Sequence, residues 1–120
     1  MVHQSKSQFA YAKGLLVEQK VARYLQAKGL TLVTQNFKAK CGEIDLVMRD
    51  KAIWVFVEVK YRADSSRGTA LEQFTAQKRR KLTAAMYVFM AKYKLNPNHI
   101  EHRIDLVAID GNKAQWLTSI

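Results

Sequence analysis

A chain of 120 residues, 48% of them hydrophobic, has apolar material for one core, so a single domain over residues 1–120 is expected. Lys and Arg number 20 against 10 Asp and Glu, a net charge of +10 with a pI near 9.9, which favours a polyanionic partner such as nucleic acid. The lone Cys41 excludes an internal disulfide, residues 1–8 lack a signal peptide's apolar stretch, and no segment nears the ~20 apolar residues of a membrane span. A reducing cytoplasm and no membrane partner are expected.

Taken in chain order, the first pattern is helical from about Gln8 to Lys28, with Gly29 placed to cap its C-terminus. Leu15, Ala22 and Leu25 recur at three- and four-residue spacing and mark the inward face. Glu18 falls on that same stripe, where a carboxylate needs a partner. Strands are expected over Leu30–Phe37, Glu43–Met48 and Ala52–Tyr61, with the last turn of this meander around Arg49, Asp50 and Lys51. The segment from Ala63 to Phe74 carries Asp64, Ser65, Ser66, Gly68 and Thr69 and reads mainly as loop. Thr75 is placed as the N-cap of a second helix running to Lys94, with Leu82, Ala85, Met86, Phe89 and Tyr93 facing the core. Asn96, Pro97 and Asn98 end it. A strand over Arg103–Asp110, a turn at Asp110, Gly111 and Asn112, and a short strand near Ala114–Leu117 complete the order α-β-β-β-α-β-β. The fold class is α/β (α+β): a central mixed sheet of about five strands flanked by two main helices.

The third strand holds the main clue. Its apolar run, Ala52 to Val57, finishes with Glu58-Val59-Lys60. Side chains alternate along a strand, so Glu58 and Lys60 share a face, and burying two charges costs several kcal/mol apiece unless something compensates. Register decides whether Asp45 joins them. With an even hairpin loop, for example Asp50-Lys51, Asp45 faces Phe56 and Glu58 lies one diagonal step away on the same face. An odd loop sends the two acids to opposite faces. In the even register Asp45 and Glu58 supply hard oxygen ligands and the Val59 carbonyl a third, a set that suits Mg²⁺ or Mn²⁺. Glu18 would complete the acidic shell from the helix, and Lys60 would steady the attacking water or the charge on a scissile phosphate. His3, His99, His102 and Cys41 are too scattered for zinc. The competing explanation is a set of buried structural ion pairs.

Gly42-Glu43-Ile44-Asp45-Leu46-Val47 followed by Val55-Phe56-Val57-Glu58-Val59-Lys60-Tyr61-Arg62 resembles the signature of the YraN-like family of bacterial proteins. That family is assigned to the PD-(D/E)XK nuclease superfamily and is similar to archaeal Holliday-junction resolvases. The likeness extends to Gly14-Leu15-Leu16-Val17-Glu18, Asn36, Lys78-Arg79-Arg80-Lys81-Leu82, Ala84 and Ala85. It implies a restriction-endonuclease-like core, Asp45 and Glu58 as metal ligands, Lys60 as the catalytic lysine and Glu18 as the helix acid. Ile44 stands where the superfamily motif has proline. Lys38 stands where arginine is expected, which weakens any bidentate phosphate contact there.

The cations Lys78, Arg79, Arg80 and Lys81 open the second helix, where they oppose the helix dipole by about 0.3–1 kcal/mol each and an incoming phosphate would reverse the penalty. Arg62 and Arg67 flank a loop able to close over a nucleic-acid strand. Trp54 and Phe56 are expected as core beneath the first helix, Asp105 paired with a basic neighbour, and Trp116 and Tyr61 as the better candidates for exposed stacking. The expected function is Mg²⁺- or Mn²⁺-dependent hydrolysis of DNA, by family likeness on branched or single-stranded DNA in repair or recombination, and a resolvase-like role requires a homodimer. Two alternatives remain: a catalytically silent nucleic-acid-binding module, and an interaction subunit of a DNA repair or uptake complex.

Overall fold

The computed structural model describes residues 6–64 and 66–120, with side chains from residue 14 onward. Most of the residues read for a signal segment, and Ser65 of the loop, lie outside the described residues. The elements are α1 (Lys6–Ala27), β1 (Thr31–Ala39), β2 (Gly42–Asp50), β3 (Ile53–Arg62), α2 (Ala76–Lys92), β4 (His102–Asp110) and β5 (Lys113–Leu117), with a short 3₁₀ turn over Leu71–Gln73. They form one five-stranded mixed sheet in sequence order. β1, β2 and β3 make an antiparallel meander, β3 pairs parallel with β4 through the α2 crossover, and β5 returns antiparallel to β4.

A helix covers each face, which is why the central strands carry near-continuous apolar runs. From α1, Val21, Ala22 and Leu25 pack on Leu46, Met48, Val55, Val57 and Val107. From α2, Leu82, Ala85, Met86, Phe89 and Met90 pack on Ile44, Val47, Phe56 and Ile104. Thr75 caps α2 as expected, its side chain accepting the Lys78 N–H.

Several expectations need correction. The last hairpin loop is Lys51-Ala52, because Lys51 adopts a left-handed φ of 57° and Asp50 pairs with Ile53. The loop is still even, so the strand faces are preserved and the register moves by two residues. Trp54 and Phe56 lie under α2, with ring centroids 6.0 and 5.7 Å from Phe89. Alternation sends Val55 and Val57 to α1 and their even-numbered neighbours to the other helix. Tyr93 is 51% exposed, since α2 stops at Lys92 and leaves Tyr93 as its C-cap. Trp116 is half-buried against the α1 core and donates its Nε1–H to Asp105.

Candidate active site

Glycine opens the Gly-Glu-Ile-Asp run for a steric reason. A Cβ on Gly42 would stand 2.6 Å from the Lys81 carbonyl oxygen and 3.0 Å from its carbon. These are backbone atoms, so only glycine lets α2 lie this close to the β1–β2 hairpin. That contact seats the start of α2 beside the ends of β2 and β3.

Between β2 and β3 the recorded pairing stops at Leu46↔Val57. One step further, the register sets Asp45 opposite Glu58. In place of the next ladder bond, the Asp45 carboxylate accepts the Val59 N–H at 2.8 Å. On the other side of β2, Gln35↔Leu46 and Phe37↔Ile44 pair while Asn36, between them, sits at φ 56°. Asparagine is among the few residues that tolerate this conformation. The Asn36 side chain lies near Glu18, and Glu18 in turn lies near Asp45.

Three carboxyl groups from three elements therefore meet. Asp45 is 7% exposed, and the Glu58 side chain 13%. Burial, then the hydrogen bond and charge of Asp45, push Glu58 up to about 9. Burial, then the Asp45 charge, raise Glu18 to about 7, while its nearness to Asn36 works the other way. Glu43 adds negative charge felt by both. Lys60 Nζ stands 3.8 Å from Glu58 Oε1, too little to offset the two neighbouring acids. The proximity of Lys60 also lowers the Lys78 ammonium below its ordinary range, with burial second. Two cations, one from β3 and one from α2, thus sit together at the edge of the acids.

The donor chemistry suits a hard divalent cation: oxygens alone, from Glu18, Asp45 and Glu58, with the Val59 carbonyl on the adjoining peptide. Glu18 Oε2 is buried with no hydrogen-bond partner. On the other side, no group of three or more His, Cys, Asp or Glu among the described residues is spaced as a ready metal centre. Burial, with the nearness of Asp45 to both glutamates, makes Glu18 and Glu58 hold their protons.

Of the nucleic-acid-binding candidates, Lys78 is the one beside the acids. Arg79 donates to the Ile120 main-chain oxygen at 2.8 Å, and Arg80 is exposed on α2. Arg62 is half-buried at the end of β3, its carbonyl accepting the Gly111 N–H, and with Arg67 it lines an open cavity of about 410 Å³. Lys38 is exposed at the end of β1, paired in register with Glu43. Sequence reasoning gave Asn36 no role; an asparagine set inside a strand pattern was the available signal.

Comparison with known proteins matches residues 17–109 to the family described as "Uncharacterised protein family UPF0102". A UPF0102 protein of Aliivibrio fischeri strain MJ11 is 44% identical over 114 residues, 93% of each chain. One from Herminiimonas arsenicoxydans is 43% identical over 104 residues, covering 87% of this chain and 82% of its own. One from Pectobacterium carotovorum is 39% identical over 106 residues, covering 88% and 90%. No described helix is long and apolar enough to cross a membrane.

Proposed function

The chain belongs to the uncharacterised protein family UPF0102, the YraN-like family, and we propose that it binds DNA and hydrolyses its phosphodiester bonds with Mg²⁺ or Mn²⁺. One observation carries this reading. Glu18, Asp45 and Glu58 converge from α1, β2 and β3, and Lys60 stands 3.8 Å from Glu58. Asp45, Glu58, Glu18 and the Val59 carbonyl would hold the cation. When bound, it supplies Lewis-acid activation of water and neutralises charge at the scissile phosphate.

The chain's own residues do the rest. Lys60 holds the attacking water or the phosphoryl oxygens where charge gathers. Lys78, beside it, fixes the phosphate from the first turn of α2, where main-chain N–H groups also favour an anion. The net charge of +10 draws the polyanion to the surface before any specific contact forms. By family likeness the substrate is branched or single-stranded DNA in repair or recombination, and cutting two strands symmetrically requires a homodimer.

The test is cleavage of branched, flapped and linear DNA with each metal. Lys60→Ala is expected to lower cleavage by about 10²–10³-fold. Asp45→Ala should abolish it, with DNA affinity largely kept in both variants. Cleavage surviving both changes removes the site assignment. Tight DNA binding by a wild-type protein that never cuts supports a silent binding module.

A further inference from the structure

Alongside the carboxylates lies a second feature that the site above does not use. The β1–β2 hairpin turns at Lys40-Cys41, and beneath it is a cavity of about 320 Å³ lined by Lys38, Lys40, Gly42, Glu43 and Lys81. Three of those residues are lysines, one from each strand-end, turn and helix that meet there. The cavity is built by the close approach at Gly42, where the α2 backbone at Lys81 packs straight against the hairpin. A side chain at that position would hold Lys81 away from Lys38 and Lys40.

The cavity also abuts the acids. Glu43 lines it, and the Glu43 charge reaches both Glu18 and Glu58. Lys81 follows Lys78 by one turn of α2, so both fall on one face of the helix. Lys78 in turn touches Lys60. On the far side of Lys60, β3 runs directly into the Arg62 and Arg67 cavity. The cations therefore spread around the carboxylates: the hairpin lysines and Lys81 in one cavity with Glu43, Lys78 and Lys60 beside the acids, and Arg62 and Arg67 in the other cavity with Asp64. A lone small anion needs donors converging on one point. Separated cations fit a chain of phosphates.

We infer that the cavity under the β1–β2 hairpin is a phosphate-binding pocket for the nucleic-acid backbone, taking a phosphate that neighbours the one at Asp45, Glu58 and Lys60. With the Arg62 and Arg67 cavity on the other side, backbone is gripped on both flanks of the carboxylates. The substrate class is then an internal phosphodiester. The inference rests on the nucleic-acid reading above, but binding tests it without cleavage.

The experiment compares wild type, Lys40→Gln/Lys81→Gln and Lys92→Gln/Lys94→Gln. The last pair removes the same charge from the opposite end of α2. Affinity for a labelled linear DNA duplex is measured across a salt series without added metal. The hairpin pair is expected to flatten the slope of log affinity against log salt by about 1.8, or about 0.9 for each lysine. The control pair should leave the slope where it was. Both lysines of the hairpin pair are exposed, and glutamine keeps the Cβ that packs near Gly42, so the fold is retained. Lys40→Ala/Lys81→Ala provides a second version of the same test. An unchanged slope in both hairpin variants, or an equal fall in the control pair, overturns the pocket. Absence of metal-dependent cleavage by the wild type, with the slope change intact, removes the nuclease reading and leaves the pocket standing.

Discussion

Among the described residues two charged side chains are buried, Asp45 and Asp105, and their surroundings are opposite. Asp105 is surrounded by donors. Arg103 Nε reaches its oxygens at 3.0 and 3.2 Å, Trp116 Nε1 at 3.0 Å and the Ser119 N–H at 3.1 Å. Arg103 then spans to Asp50 at 3.2 Å. Asp45 takes the Val59 N–H and otherwise meets carboxyls from Glu18 and Glu58. The first site is complete within the fold: it joins β4 to β5 and to the segment after it. The second gathers three acids against one lysine, 3.8 Å from Glu58, and its glutamates hold protons where Asp105 has a cation and donors.

The contrast is broken most severely at Asp105. Asp105→Ala should cost about 3–5 kcal/mol in urea unfolding, because it leaves Arg103 with a lost partner inside the fold. Asp45→Asn should cost far less, since the amide oxygen still accepts the Val59 N–H and the change relieves the crowding of acids. Equal losses at the two aspartates would erase the distinction. Next in size is Gly42→Ala, expected to cost about 1–3 kcal/mol by forcing α2 off the hairpin. A neutral outcome there would mean that the close approach to Lys81 does not seat the helix.

The effect at Glu58 follows pH. Glu58 holds its proton more tightly folded than unfolded, with about 9 against an ordinary 4.5. Its contribution to stability is complete below that ordinary value and is lost as pH climbs through the raised one. The metal-free protein should therefore soften from acid toward alkaline pH. Glu58→Gln, which keeps a hydrogen-bond donor toward Asp45, should flatten this part of the profile in thermal melts.

Much of this was legible in the residues. The strand order, the Thr75 cap and the even hairpin loop all follow from turn chemistry and period-two alternation, and the even loop brings Asp45 across from Glu58, although alternation in β2 breaks around Asp45. The exact register was not legible, because Lys51 takes a left-handed turn position that commonly goes to asparagine or glycine. Which helix covers Trp54 and Phe56 depends on how α1 and α2 divide the two faces, and alternation fixes only that neighbours part company. Glu18 was visible as an acid on an apolar stripe, whereas its link to Asp45 through the Asn36 distortion needs the third dimension. Arg79 illustrates the opposite limit: its run of cations reads as one binding surface, yet its guanidinium is taken by the Ile120 main chain.

Calorimetric titration with Mn²⁺ in mildly alkaline buffer bears most directly on the acid cluster. Wild type should bind the ion and release protons as Glu58 and Glu18 give theirs up. Asp45→Asn and Glu58→Gln should weaken or abolish that binding. Absence of binding by the wild type, or binding undiminished in both variants, would contradict the assignment of these carboxylates to a metal-dependent site.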